Sequence, residues 1–198
     1  MKFKDTEYGD MSGQHYEGDI NIDSMGVSDW EGSPASIWGR LSAANNEFTT
    51  LVGMPEMKKG SSISLNDNPL GSLKGAKWTL IDDFGIVGCG LTSFEGCPQK
   101  VIGMFAGYNN DCVSLTGVSP YISGRFFVNN CKIETIGDYM PQNEAKWLNF
   151  EDNPNKYLDK EYRVRVDGFV GIEFYQKMYE LTGEESYLPD DVHEMFLF

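Results

Sequence analysis

A glycine followed by alternating apolar residues recurs along most of this chain. Gly18-Asp19-Ile20-Asn21-Ile22, Gly39-Arg40-Leu41-Ser42-Ala43, Gly103-Met104-Phe105-Ala106-Gly107 and Gly124-Arg125-Phe126-Phe127-Val128 share the form. A register set on the first apolar slot holds Ile20, Leu41, Ile63, Phe84, Phe105 and Phe126, in steps of 21, 22, 21, 21 and 21 residues. Two residues later stand Ile22, Ala43, Leu65, Ile86, Gly107 and Val128. Seven after the first slot come Val27, Phe48, Leu70, Leu91, Cys112 and Ile133, and ten after it Trp30, Leu51, Leu73, Phe94, Leu115 and Ile136. Twelve after it come Gly32, Gly53, Gly75, Gly96 and Gly117, with Gly137 displaced by one in the sixth copy. Pro34, Pro55 and Pro98 follow two residues later, and Pro120 and Pro141 are displaced by one.

The spacing carries a structure. Apolar slots two apart are strand spacing, with both side chains on one face. A turn must follow, and Asn45, Asp67, Asn109 and Asn130 stand there. Their short polar side chains tolerate positive φ and can bond turn backbone, or the backbone of a stacked neighbour, as a ladder. The next slots are three apart, which suggests a loose or 3₁₀-like return arm. Gly-x-Pro then turns the chain. One such unit cannot bury its apolar side, but stacked units can, so a repeat solenoid is expected. Six rungs about 4.8 Å apart make a parallel sheet roughly 25–30 Å long.

The period and order resemble the leucine-rich repeat, L-x-x-L-x-L-x-x-N-x-L. Leu41-x-Ala43-x-Asn45-x-x-Phe48-x-x-Leu51 and Phe105-x-Gly107-x-Asn109-x-x-Cys112-x-x-Leu115 carry the likeness. The first slot is often aromatic, Ser24 and Gly88 stand at the asparagine slot of copies one and four, and a cysteine replaces leucine once. The form is similar to leucine-rich-repeat-like proteins of large tailed bacteriophages. The expected fold is therefore a leucine-rich-repeat-like parallel β-sheet of about six 21-residue coils with an α/β C-terminal cap.

Residues 1–17, with Phe3, Tyr8 and Tyr16, are expected to form a short strand or hairpin over the first coil. The solenoid spans 18–141. Residues 142–198 carry 13 acids and 6 bases, against 17 and 10 in the first 141, so the tail is the more densely acidic part. Within it, Tyr162-Arg163-Val164-Arg165-Val166 alternates like a strand. Phe169, Ile172, Tyr175, Met178 and Tyr179 recur at helical spacing up to Gly183. The apolar end Met195-Phe196-Leu197-Phe198 is expected to dock on the body.

Composition narrows the function. The net charge of −14 argues against nucleic acid or an anionic membrane as direct partner and permits a basic protein. No apolar run reaches the length of a membrane span. Met1-Lys2-Phe3-Lys4-Asp5-Thr6-Glu7 turns polar at once, so no secretory signal is read and a cytoplasmic location is expected, host cytoplasm for a phage protein. Only two histidines exist, His15 and His193. That removes most routes to general-base or zinc chemistry. Cys89, Cys97, Cys112 and Cys131 form no C-x-x-C pair and read as reduced, mostly buried thiols, with Cys112 filling an apolar slot. The pairs Asp82-Asp83 and Asp190-Asp191 read as solvated turns. Gly88-Cys89-Gly90 lacks a phosphate-loop lysine. No metal or cofactor is expected.

The remaining surface is the outward face of the strands, whose residues alternate with the inward slots. Its first coil is acidic and small, with Asp19, Asn21 and Asp23. Its later coils set Val87, Met104, Tyr108 and Phe127 side by side. Contiguous exposed apolar and aromatic side chains mark interaction sites. The candidate partner-binding residues are Arg40, Asp83, Val87, Met104, Tyr108, Arg125, Phe127 and Asn129. The expected function is a non-enzymatic, monomeric protein-binding module. The phage resemblance implies an inhibitor that blocks a bacterial defence protein or toxin with a basic cleft. The alternatives are a structural or virion-associated protein, or an enzyme working with Asp and Glu alone. A fold-back of the C-terminal segment over the patch stays open.

Overall fold

The computed structural model describes residues 1–134, 147–149, 153 and 161–163. In chain order the strands are β1 (His15–Glu17), β2 (Ile20–Asn21), β3 (Ser36–Trp38), β4 (Arg40–Ser42), β5 (Glu56–Met57), β6 (Ser61–Ser64) and β7 (Leu80–Gly85). They continue with β8 (Lys100–Val101), β9 (Met104–Ala106), β10 (Tyr121–Ile122), β11 (Arg125–Phe127), β12 (Trp147–Asn149) and β13 (Glu161–Arg163). Among the described residues the only helix is one 3₁₀ turn, Phe3–Asp5.

The protein is a β-solenoid of about five turns with a spacing near 21 residues, where the sequence suggested about six. Strands β2, β4, β6, β7, β9 and β11 pair in parallel, each with the next. Ile20 lies opposite Leu41, Leu41 opposite Ile63, Ile63 opposite Phe84, Phe84 opposite Phe105 and Phe105 opposite Phe126. That register is the one set by the first apolar slot. Stacking puts aromatic rings in the core, with Phe105 5.5 Å from Phe84 and 5.3 Å from Phe126. Trp30 lies flat on Phe48 at 4.0 Å. The first and second apolar slots, and every described member of the seventh and tenth, are buried.

Every coil of the main sheet from β2 to β11 except the fourth holds a separate second strand that the alternation did not reveal. Strands β1, β3 and β5 form a three-stranded parallel sheet. Strands β8 and β10 pair in parallel, and β8 pairs with the start of β7. In coil two, β3 and β4 are separated by Gly39 alone, which forms the corner at φ 152. A Cβ there would stand 2.3 Å from the carbonyl oxygen of Gly18 one coil away. Glycine is required both for the angle and for the approach. Coil four has Asp82 at this place, and β7 runs through without a corner. Its pairing with β6 shifts register between Ser61 and Ile63. Asp82 and Asp83 therefore lie inside a strand, not in the solvated turn expected of them.

The turn after the main strand sits at positive φ in every coil: Ser24, Asn45, Asp67, Gly88, Asn109 and Asn130 have φ between 48 and 61°. The backbone ladder onto the buried interior belongs to the next column instead. Asn46 Oδ1 accepts the Val27 amide (2.9 Å) and Nδ2 donates to Ile22 O (2.8 Å). Asn68 repeats this with Phe48 and Ala43, and Asn153 with Ile133 and Val128. Cys89 and Cys131 stand in the same column and donate Sγ–H to Leu65 O and Gly107 O. The preceding column bonds side chain to side chain: Asn45 to Ser24 at 2.9 Å and Asn130 to Asn109 at 2.8 Å. The return arms are turns and bends rather than 3₁₀ helix.

The N-terminal end is closed by chain. Residues 2–4 run beside 29–31, with Phe3 fully buried and its amide bonded to Asp29 O. Lys2 and Lys4 both pair with Glu31. Strand β1 is a rung of the second sheet, parallel to β3, so the N-terminal segment includes a short strand but no hairpin. At the other end β12 pairs in parallel with β11, one rung beyond position 141, and β13 then pairs antiparallel with β12. β13 overlaps the strand expected at 162–166. The helix expected across 169–183 and the apolar end at 195–198 lie outside the described residues.

Candidate functional site

The outward face of the main sheet has three columns. The central one holds Ser42, Ser64, Gly85, Ala106 and Phe127, paired rung to rung. One flank holds Arg40, Ser62, Asp83, Met104 and Arg125, and the other Ala44, Asn66, Val87, Tyr108 and Asn129. The central residues are small for four rungs and then give way to phenylalanine. The result is a groove of about 200 Å³.

Six of the eight expected site residues line it: Arg40, Asp83, Val87, Met104, Tyr108 and Phe127. Arg125 and Asn129 stand on the same rung as Phe127 but outside the lining. Met104, Tyr108 and Phe127 are half-buried. Val87 was expected to be exposed and is only 6% exposed. Its column neighbours Asn66 and Tyr108 flank it, so it forms floor and wall rather than a projecting anchor. Sequence reasoning left Ser64, Gly85 and Ala106 out of the site. Their signal was present in the small residues of the central column, but small side chains attract no attention until stacking turns them into a trough.

Polar groups on this face hold backbone of the next coil. Asp83 Oδ1 accepts the Met104 amide (2.8 Å), and Asn66 Oδ1 accepts the Val87 amide (2.9 Å). Asp19 accepts the Arg40 amide at 2.8 Å. Asp23 takes the Ala44 amide at 2.7 Å and the Ser42 hydroxyl at 2.8 Å. A side chain pinned this way loses little further freedom when a partner arrives. Among the described residues the Arg40 guanidinium makes no ion pair, and the second oxygen of Asp83 has no hydrogen-bond donor.

Burial pushes the Cys89 thiol up to about 12 and the Cys131 thiol up to about 11, and drives Cys112 and Cys97 well above the ordinary thiol range. Such thiols are poor nucleophiles at neutral pH. His15 Nδ1 is 2.8 Å from Ser36 Oγ, and no carboxylate joins them in a triad among the described residues. No group of three or more His, Cys, Asp or Glu among the described residues could hold a metal ion. No described helix is long and apolar enough to cross a membrane. In comparisons with protein-family models, curated proteins and solved structures, nothing matches the chain.

Proposed function

We propose that this protein is a non-enzymatic binding module that takes a protein partner on the outward face of its main sheet. One observation carries the reading: a pre-formed groove on a rigid parallel sheet, with Met104, Tyr108 and Phe127 half-exposed at one end. Aromatic side chains offer large contact area at small ordering cost, and methionine is enriched at interface cores. The charge of −14 favours a basic partner and raises its rate of encounter. The proposed solenoid type is leucine-rich-repeat-like. The column Asn46, Asn68, Cys89, Asn110, Cys131 and Asn153 supports that assignment, since Asn or Cys stands three residues after the second apolar slot, as in L-x-L-x-x-N/C-x-L. On the phage resemblance, the proposed target is a bacterial defence protein or toxin with a basic cleft, met as a monomer in the host cytoplasm.

Affinity capture from bacterial lysate, read by mass spectrometry, tests this. A specific basic protein is expected on the wild-type chain and is absent from the double variant Tyr108→Ala, Phe127→Ala. Capture unchanged by that variant overturns the groove as the binding face.

A further inference from the structure

The central column says what shape of partner fits. Ser42, Ser64, Gly85 and Ala106 lie on consecutive rungs and all are buried to nine-tenths or more or have no side chain. Three rung spacings make a trough roughly 14 Å long. It runs across the strands, and Phe127, opposite Ala106, closes one end. An extended polypeptide rises about 3.3 Å per residue, so four to five residues fill that length.

Ser64 adds a polar group to the trough floor. It is 8% exposed, it lines the groove, and its hydroxyl makes no hydrogen bond among the described residues. That hydroxyl is open to solvent in the trough, and an amide or carbonyl of a bound chain could take the place of water there. Asp83 stands on the next rung but one column aside, with one oxygen bonded to the Met104 amide and the other without a donor among the described residues. Tyr108, Met104 and Phe127 gather at the closed end.

Resting on the reading above, we propose that the trough binds an extended stretch of a partner polypeptide, with a lysine or arginine at Asp83 and an apolar side chain against Phe127. Backbone polar groups of the stretch meet Ser64 and Asn66. Charge complementarity with the acidic chain selects a basic segment rather than an acidic one.

The test uses the full chain and a library of acetylated, amidated octapeptides randomised at every position, selected on immobilised protein. Expected is enrichment of Lys or Arg within a few residues of a large apolar residue. The best peptide is then expected to bind about tenfold more weakly to Asp83→Asn, the effect of removing one charge-assisted hydrogen bond. It is expected to lose binding to Ser64→Leu, which fills the trough. Asp83→Asn keeps shape and the Met104 acceptor, so its result stands even if Ser64→Leu folds poorly, which circular dichroism would reveal. No enrichment, or peptides indifferent to Asp83→Asn, overturns the proposal. If lysate capture still depends on Tyr108 and Phe127 in that case, the binding face survives and only the extended-segment occupant falls.

Discussion

Asn110 ties two turns of the solenoid together through Leu91, whose amide its Oδ1 accepts at 3.0 Å. The same oxygen takes the Cys89 amide at 3.1 Å, while Nδ2 donates to Ile86 O at 2.8 Å and to Gly107 O at 2.9 Å. All of these groups are buried. Removing the side chain strands amides and carbonyls with no water to replace it. Asn110→Ala is expected to lower unfolding free energy by about 3 kcal/mol, measured by urea denaturation. A loss under about 1 kcal/mol would show that the ladder is dispensable.

Neighbouring asparagines have different jobs. Asn45 sits at φ 53 with an exposed side chain, whereas Asn46 is buried and bonds Val27 and Ile22. Coil four already uses glycine in the Asn45 column, Gly88 at φ 61. Asn45→Gly should therefore change stability by no more than about 0.5 kcal/mol, and Asn45→Val should cost about 1–2 kcal/mol for the left-handed backbone. Asn46→Gly is expected to cost about 2–3 kcal/mol. Thermal melts of the three variants would settle the order; equal effects at 45 and 46 would contradict it.

Phe105 touches rings on two other rungs, Phe84 and Phe126, and Phe94 at 5.9 Å on the return arm. It is fully buried. Phe105→Ala should cost about 3–5 kcal/mol, because apolar burial is forfeited and a cavity remains. Phe105→Leu keeps more of the volume and should cost clearly less. Because each rung packs only on its neighbours, the damage is expected to be local first. Hydrogen exchange should show amides of β7, β9 and β11 weakening before those of β2 and β4.

The buried thiols are expected to set an alkaline limit on stability. Cys89 rises from 9.0 to about 12 and Cys131 from 9.0 to about 11, chiefly by burial. Above pH 9 the unfolded chain ionises these thiols while the folded chain keeps them protonated. The stabilisation is whole below pH 9 and falls as pH rises toward 11–12, by about 1.4 kcal/mol per pH unit for each thiol. Cys89→Ala is expected to be less stable at pH 7 yet to show a shallower decline between pH 9 and 11. A decline unchanged by the substitution would assign the limit to other groups. In the native protein, Ellman's reagent at pH 8 should label Cys89, Cys112 and Cys131 slowly, and denaturant should release them.

Much of this arrangement was legible because stacking repeats itself in the chain. A side chain that must face inward in one coil must do so in the next, so Ile20, Leu41, Ile63, Phe84, Phe105 and Phe126 announced their own register. The candidate face followed by alternation, and six of its eight chosen residues do share one groove. The second sheet escaped notice because its strands are two or three residues long, as at β3 and β5, too short for alternation to be seen. The groove floor escaped because Ser64, Gly85 and Ala106 carry no large side chain.

The amino-acid sequence alone determined the period, the inward slots and the positions of positive φ, since each follows from residue type and spacing. Only the tertiary structure decided which of Asn45 and Asn46 enters the interior. The left-handed residue turns the backbone, so its own side chain points out and the next one points in, and residue type cannot distinguish two adjacent asparagines. The trough was decided there too: its depth is the difference between small residues on one column and larger ones on its flanks, and that difference exists only once the rungs are in register.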